Sequence, residues 1–422
     1  MIGDPMDIKT IKSSGQLGLS WLLSKFQDVG QLSSFAAIML LLNPTITIDP
    51  FIIIEGIQSG LLLSSLISIS LMIMSTISIK ILAQSWAVNN TFTYTGLWKK
   101  CFGKFFSWIP GGIIIIAFFS LSSLCTYEFF YDISDINGMI PFLKDKSLPS
   151  KRTIDILLIV LSSIPAMISN KFSSLLFISI VGNIGLLLAS VATIIYFIKK
   201  VDKFGIDPEN KLKWWNGDFV SIIDSYSYYN IAYFVHPVIY LVLVEMKHVS
   251  EDKTIKIAFT NFVVTSIFNM GVGIMSYLMY YDDFESGIKI ISKFPRDSYW
   301  PVIATVGAFL SNVGSNCAYI MFIVKEVCDM LLDGSSHHIP SRLVAVVAVV
   351  FMGFTFTQSG EATKNVVWSI SSLSYYALVY IFPPIYYLKT FGLSNKLWGP
   401  LAVLIFILPI PFAISELYLS FS

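Results

Sequence analysis

The sequence predicts an all-α polytopic membrane protein, and three observations lead to this fold class. Of the 422 residues, 55% are hydrophobic and only 13% are charged. The mean hydropathy of +0.71 lies far above that of water-soluble domains of this length. The apolar segments are also long and continuous, matching the roughly 20 residues that a helix needs to cross hydrocarbon rather than the shorter strands of a barrel.

Charge and cysteine usage exclude several other classes of protein. The formal net charge is +1, so the concentrated Lys and Arg that phosphate binding requires are missing, and we expect no nucleic-acid partner. The four cysteines lie within or beside apolar runs, which predicts packed thiols rather than a disulfide framework. The adjacent pair His337-His338 has no matching ligand spacing, so no metal site beyond a possible sodium site is expected. No organic cofactor is expected either.

Hydropathy predicts eleven membrane spans, which are numbered here in chain order. They lie near residues 33–60, 61–88, 108–131, 153–169, 172–198, 227–246, 255–280, 300–325, 342–360, 364–388 and 397–421. Residues 1–32 are then an N-terminal segment, and 33–422 form one transmembrane domain. The longest polar connectors, predicted to be solvated loops, are 132–152, 199–225 and 281–299.

Two spans carry helix-breaking residues at corresponding positions. In the first span, residues 43–50 read Asn-Pro-Thr-Ile-Thr-Ile-Asp-Pro, and each proline removes a backbone donor. In the sixth span, His236-Pro237 lies mid-span, about 190 residues further on. Each break opens a group of five spans, which is the pattern of an inverted repeat with broken helices at the bilayer midplane. The alternative is that each proline only kinks a helix for packing.

The chemistry of such breaks suits the binding of a small polar solute. Unwound backbone exposes amide and carbonyl groups, and half-helix N-termini favour a carboxylate, so a zwitterionic amino acid fits well. The candidate substrate-binding residues are Asn43, Thr45, Ile46, Thr47, Tyr233, Phe234 and His236. His236 has two readings, since it can titrate in a proton-coupled carrier or donate a hydrogen bond to a freed backbone group.

Polar side chains in the first and eighth spans are candidates for ion coupling, because sodium prefers hard oxygen ligands. The candidate residues are Asp49, Asn312, Ser315 and Asn316. Asp49 can bind a cation or a substrate amino group, take up a proton, or only cap the second half-helix. The alternative for the eighth-span residues is that they only join helices together. Glu245, at the end of the sixth span, is predicted to form a structural ion pair.

Short motifs resemble the amino acid/auxin permease family, and most closely its branch of sodium-coupled neutral amino acid transporters. The stretch Ala-Tyr-Phe-Val-His-Pro at 232–237, followed by Glu-Met at 245–246, resembles the family's sixth span. Residues 276–286 are similar to the branch's end of span seven. Residues 93–103 are similar to its loop after span two, and Pro-Phe at 50–51 occupies the place of a Pro-aromatic pair.

This resemblance implies a LeuT-type fold, with ten helices in two inverted five-helix repeats plus an eleventh, and a cytoplasmic N-terminus. It also implies symport of an amino acid with sodium or a proton. Two departures bear on substrate and ion. Asn43, Pro44 and Thr45 replace a Gly-Ser-Gly type run whose bare backbone holds the substrate in the family. In span eight, residues 316–318 replace a Thr-Val-Pro run.

The expected function is secondary active transport of neutral amino acids, with sodium or a proton as coupling ion. The expected partners are the amino acid and the lipid bilayer, in a plasma membrane or a vacuolar or lysosomal type of membrane. A non-transporting membrane amino acid sensor on the same fold is the alternative. The sequence has no phosphate-cradling Gly-Lys-Ser/Thr loop and no intramembrane His-Glu-x-x-His, so neither an ATP-driven pump nor an enzyme is expected.

Overall fold

The computed structural model describes residues 32–46, 55–91, 93–139, 151–168, 171–204, 212–246, 250–280, 299–332, 342–344, 346–348, 350–351, 361–393 and 395–421. These residues are almost all helical, and each of the eleven predicted spans contains helix. The predicted N-terminal segment lies outside the described residues except for Leu32.

The helices follow the predicted order of spans. The first span contains Ser34–Ile46 and the 3-10 turn Glu55–Ile57. Spans two to five contain Leu61–Asn89, Trp108–Met139, Lys151–Ile168, and the 3-10 turn Phe172–Leu175 with Leu176–Phe204. Spans six to eight contain Phe219–Ala232 and His236–Val244, then Glu251–Tyr280, then Trp300–Leu332. Span ten contains Glu361–Tyr376, the π-helix Ala377–Ile381 and Phe382–Phe391, and span eleven contains Trp398–Ile407 and Ile410–Phe421.

The predicted connectors were partly wrong, because helices continue into them. The third span runs on to Met139 and the sixth begins at Phe219, so parts of 132–152 and 199–225 are helical rather than loop. A helix keeps its backbone bonded whether lipid or water surrounds it, so hydropathy marks the edge of the membrane and not the end of the helix. Most of the third connector, 281–298, lies outside the described residues.

A short helix, Tyr94–Phe102, replaces the loop expected between the second and third spans. Its N-cap is Thr93, whose hydroxyl accepts a hydrogen bond of 2.9 Å from the Gly96 backbone N–H. The helix packs Tyr94 and Leu97 inward, where both are fully buried.

The second span shows how the bundle faces lipid. Its exposed side chains recur every three or four residues and are Leu62, Leu66, Ile69 and Ile73, which are 53%, 48%, 43% and 49% exposed. Its buried face is rich in serine, namely Ser64, Ser68, Ser75, Ser78 and Ser85. An apolar outside and a hydroxyl-bearing inside are typical of a membrane helix in a bundle. By length and composition, six helices in the described parts can cross a membrane: Leu61–Asn89, Phe172–Asp202, Phe219–Val244, Glu251–Met279, Val302–Val327 and Trp398–Leu419.

The fifth and eighth spans cross in direct backbone contact at two glycines. A Cβ atom added to Gly185 would lie 2.5 Å from the Gly307 carbonyl oxygen, and one added to Gly307 would collide with the Gly185 carbonyl. Small residues at such a crossing let two membrane helices approach closely. This crossing fixes the eighth span beside the broken first span.

The tenth span widens into a π-helix just before Pro383-Pro384. The prolines supply no N–H, so the carbonyls of Leu378 and Val379 lack donors from within the helix. The Tyr94 hydroxyl donates to the Leu378 carbonyl at 2.7 Å, and the Ser78 hydroxyl donates to the Val379 carbonyl. The second span and the short helix therefore satisfy the carbonyls that the prolines free.

Candidate functional site

The C-terminal end of the described first-span helix is held by the eighth span. Helix Ser34–Ile46 continues through Pro44, and residues 47–54, which follow it, lie outside the described parts. The Asn43 carbonyl accepts a hydrogen bond of 3.0 Å from the Ser315 hydroxyl, and the Pro44 carbonyl accepts one of 2.6 Å from the Tyr319 hydroxyl. Ser315 and Tyr319 lie one turn apart, so one face of the eighth span caps the half-helix.

The side chain of Asn43 lies in a space formed by two glycines. It is 1% exposed, and its Oδ1 accepts a hydrogen bond of 2.7 Å from the Ser315 hydroxyl. A Cβ atom on Gly182 of the fifth span would collide with the amide nitrogen, and one on Gly314 would lie 2.6 Å from Oδ1. Asn43 therefore joins three spans at the break.

The seventh span contacts the same half-helix through Thr45. The Asn261 side-chain N–H donates to the Thr45 hydroxyl oxygen at 3.2 Å, and the Thr265 hydroxyl lies 3.3 Å from it. Sequence reasoning missed Asn261 and Thr265. The signal was present, because Asn261, Thr265 and Asn269 recur every four residues in an apolar helix, and all three are buried.

The sixth span breaks slightly earlier than predicted. Helix Phe219–Ala232 ends, residues 233–235 are non-helical, and a second helix begins at His236. The expected break at His236-Pro237 was therefore wrong by a few residues. A proline in the first turn of a helix loses no hydrogen bond, so Pro237 starts the second half-helix instead of interrupting one.

The two aromatic residues at this break point to different neighbours. The Tyr233 hydroxyl lies 2.7 Å from the Ser68 hydroxyl of the second span, and its ring meets Phe262 of the seventh span edge-on at 5.6 Å. The Phe234 ring packs on Tyr375 of the tenth span, with ring centroids 4.6 Å apart. Both rings are buried and close the break on two sides.

Two buried polar side chains flank the break in the sixth span. His236 is fully buried, and neither ring nitrogen makes a hydrogen bond to a described residue, although the Ser75 backbone is near enough to act on the ring. Asn230, which lies before the break and was missed by the sequence reasoning, is also fully buried, and its amide atoms have no partner in the described parts. Buried polar atoms usually bond to something, so a polar ligand or water suits this position.

The end of the first-span helix and the break in the sixth span both contact one turn of the seventh span. Asn261 and Thr265 contact Thr45 of the first span. Between them, Phe262 meets Tyr233 edge-on and lies 6.5 Å from His236, measured between ring centroids. The helix ends that the sequence separates by some 190 residues are therefore neighbours.

The three eighth-span candidates do not all face the first span. Ser315 does, whereas the Asn316 side-chain oxygen accepts a hydrogen bond from the Ser122 hydroxyl of the third span. Asn312 is buried. These positions place Ser315 at the break and Asn316 at the contact with the third span.

The remaining candidates are at the edge of the described residues or beyond it. Ile46 is the last residue of the first half-helix, and Thr47 and Asp49 lie outside the described parts. Their roles remain predictions.

The contacts of the Glu245 carboxylate in the described residues are with backbone groups, and the predicted ion pair stays a prediction because residues 247–249 lie outside them. Its two carboxylate oxygens accept hydrogen bonds from the backbone N–H groups of Phe172, at 2.6 Å, and Ser173, at 2.8 Å. These N–H groups begin the 3-10 turn of the fifth span, where a negative charge is stabilising. At the same end of the sixth span, the Leu32 N–H donates to the Glu245 carbonyl at 3.0 Å, which brings the start of the first span beside the end of the sixth.

The end of the first-span helix and the break in the sixth span meet inside a helical bundle, which is typical of the LeuT-type fold. A solved structure supports this fold: Mhp1, described as a nucleobase-cation-symport-1 family transporter in a closed conformation with bromovinylhydantoin bound, matches with a TM-score of 0.64. The identity is 13%, and the match covers 93% of this chain and 92% of that chain.

Residues 57–421 match the family described as transmembrane amino acid transporter protein, and the chain belongs to this family. A comparison with curated proteins found no match. The predicted fold and family are therefore confirmed, and the chain is an integral membrane transporter and not an enzyme. The resemblance to the sodium-coupled neutral branch remains a prediction.

Proposed function

We propose that this protein is a secondary active transporter that carries neutral amino acids by sodium or proton symport. The observation that carries the proposal is the approach of the first-span helix end and the sixth-span break to one turn of the seventh span, beside buried polar side chains of the sixth span. In this family, the cargo is expected to be an amino acid.

The two helix ends support a zwitterionic cargo. Helix Ser34–Ile46 directs its C-terminal end, with partial negative charge, toward the break, which favours an ammonium group. Helix His236–Val244 begins at the other break, and its N-terminal N–H groups favour a carboxylate. The neighbouring rings of Tyr233, Phe234 and Phe262 are apolar surfaces, which suit an uncharged side chain.

The proposed substrate contacts are Asn43, Thr45, Ile46, Thr47, Tyr233, Phe234 and His236, to which the structure adds Asn230 and Asn261 as candidates. The proposed coupling residues are Asp49, Asn312, Ser315 and Asn316. Asn43 and Ser315 supply oxygen atoms at the end of the first half-helix, where a cation is favoured by the helix dipole. Asn316 acts by holding the eighth span to the third.

The proposal is tested by uptake into liposomes that contain the purified protein. A panel of labelled neutral, cationic and anionic amino acids is offered under separately imposed sodium and proton gradients. We expect neutral amino acids to accumulate in the liposomes under one of the two gradients. The accumulated label should leave the liposomes when that gradient is collapsed. Absence of accumulation for every amino acid under both gradients would contradict the proposal.

A variant at Asn230 separates binding from folding. Because its amide atoms lack partners among the described residues, Asn230→Leu removes polar atoms that the fold does not use, and we expect thermal stability to be kept. Uptake should fall at least tenfold, because the cargo loses a polar contact. Ser70→Ala is the matched control, since Ser70 is exposed and bonds only its own helix at Leu66. Normal uptake by Asn230→Leu would remove this residue from the site.

A further inference from the structure

Away from the two breaks, three spans meet in a pair of stacked layers that we call the three-helix cluster. The sixth, tenth and eleventh spans each contribute one residue to each layer. The polar layer is Ser227, Ser372 and Glu416, and the aromatic layer is Tyr226, Tyr376 and Phe412.

The polar layer is centred on the carboxyl group of Glu416. This residue is 7% exposed, and the two serines are buried as well. The hydroxyl of Ser227 donates to Glu416 Oε2 at 2.7 Å, and the hydroxyl of Ser372 donates to the same oxygen at 2.6 Å. One carboxyl oxygen therefore ties the first half of the broken sixth span to the tenth and eleventh spans.

The aromatic layer covers the carboxyl on one side. The Tyr226 ring stacks on Phe412 at 4.1 Å, with the ring planes 6° apart, and on Tyr376 at 5.9 Å, with the planes 7° apart. Phe412 lies one turn before Glu416, and Tyr376 lies one turn after Ser372. The stack fills the space next to the carboxyl with apolar surface, which raises the cost of a charge there.

Two ionisable groups of the described residues act on Glu416. Asp224 belongs to the sixth span, and Tyr376 belongs to the tenth. Asp224 is half-buried and its carboxylate repels that of Glu416. Asp224 disfavours a second negative charge nearby, whereas the Ser227 and Ser372 hydroxyls stabilise the carboxylate, so the cluster suits a carboxyl group that gains and loses a proton.

The cluster lies near one face of the bundle. Glu416 is one turn before the end of the candidate span Trp398–Leu419, and Ser227 and Ser372 lie in the first helices of the sixth and tenth spans. Helix Phe219–Ala232 runs from this face directly to the break at residues 233–235. A change in the bonding of Ser227 therefore acts on the helix that ends at the proposed substrate site.

We propose that Glu416, with Ser227 and Ser372 as donors, is a proton-binding site whose occupancy controls the position of helix Phe219–Ala232. The carboxylate takes a proton from water on the near face of the bundle, becomes a neutral acid that suits the buried cluster, and returns the proton to water when the half-helix moves. No other bond forms or breaks. The inference rests on the proposed transport function and names the proton as the coupling ion.

Infrared difference spectroscopy on the reconstituted wild-type protein tests protonation without any transport. Lowering the pH should produce a carboxylic-acid carbonyl band that is absent from Glu416→Gln and retained in Glu251→Gln. Glu251 is the matched control because it is a half-buried carboxyl group that accepts a hydrogen bond of 3.0 Å from Gln84. An unchanged set of bands in Glu416→Gln overturns the proposal.

Ser372→Ala keeps the acid, so the test does not depend on the folding of Glu416→Gln. Loss of the hydroxyl donor should move the same band to higher frequency, because the carbonyl loses a hydrogen bond. A band at the wild-type frequency would show that the protonated group is not Glu416 and would overturn the proposal.

Transport measurements then connect the site with coupling. In Glu416→Gln, exchange of labelled for unlabelled substrate should persist, whereas the accumulation ratio under a proton gradient should fall to its value without a gradient. Wild-type accumulation by Glu416→Gln would overturn the proposal. If even the wild-type protein exchanges no amino acid, the proposed transport function fails, and the infrared result still decides whether Glu416 binds a proton.

Discussion

At the scale of single residues, the hydroxyl of Ser315 stabilises the C-terminal end of helix Ser34–Ile46. Its hydroxyl lies within hydrogen-bonding distance of the Asn43 carbonyl oxygen, Asn43 Oδ1 and the Ser311 carbonyl oxygen, and its one proton is shared among these acceptors. Ser315→Ala leaves these buried acceptors with fewer donors, so we expect a loss of about 1–3 kcal/mol in the free energy of unfolding. We also expect a higher coupling-ion concentration for half-maximal uptake. Thermal unfolding in detergent and uptake at graded ion concentrations measure the two effects.

The control for this variant is again Ser70→Ala on the lipid-facing side of the second span. Equal melting temperatures and equal ion dependence for Ser315→Ala and the wild type would show that the link to Asn43 contributes to neither stability nor coupling.

Some site residues could be chosen from the sequence and others could not. Asn43, Thr45 and His236 stand out because they are polar and adjoin a proline in an apolar span. Asn230 and Asn261 adjoin no proline, and their importance follows only from which helix face turns inward. That choice depends on packing between spans distant in sequence, which periodicity within one span does not specify.

At the scale of elements, the crossing of the fifth and eighth spans sets the geometry of the site. Gly307→Ala places a methyl group against the Gly185 carbonyl, so the helices must separate. We expect a cost of about 1–3 kcal/mol and a lower yield of monodisperse protein. Gly112→Ala in the third span is the matched control, because a Cβ atom there meets nothing within 4 Å. Similar size-exclusion profiles and melting curves for the two variants would contradict a tight crossing.

The helices were predicted well where the sequence of a single span is enough to determine its secondary structure. The order and helical nature of the spans follow from hydropathy, since an unbonded backbone is costly in lipid. The helix Tyr94–Phe102 was missed because it is too short and polar for a hydropathy signal, although its Thr-x-x-Gly start was visible. The π-helix at Ala377–Ile381 could not be predicted from Pro383-Pro384 alone. The carbonyls that these prolines free need hydrogen-bond donors from Ser78 and Tyr94, which are distant in sequence.

At the scale of the whole molecule, the orientation in the membrane can be checked at Asn89-Asn90-Thr91, the one Asn-x-Ser/Thr sequon of the sequence. The family resemblance places this loop in the cytoplasm. In addition, the Asn89 amide donates to the Ser85 carbonyl and to the Thr390 hydroxyl, each at 2.9 Å. We expect Asn89 to stay unmodified in a glycosylating cell, as measured by mass spectrometry and glycosidase treatment.

The control places an acceptor on the opposite side. Asp145→Asn completes an Asn-x-Ser sequence with Ser147, in the connector after the third span, and we expect it to be glycosylated. A glycan on Asn89, or one on neither position with a correctly inserted protein, would show that the assumed orientation or span count is wrong.

The Asn43 side chain packs between Gly182 and Gly314, so the side-chain volumes allowed at these three distant positions depend on one another. The amide fills space that a glycine at position 43, as in the family's Gly-Ser-Gly type run, would leave empty. Substituting any one of the three therefore produces either an overlap or a void, whereas a matched exchange keeps the total volume constant. We therefore expect the three positions to vary together among relatives, with a larger side chain at the place of Gly182 or Gly314 where glycine stands at the place of Asn43.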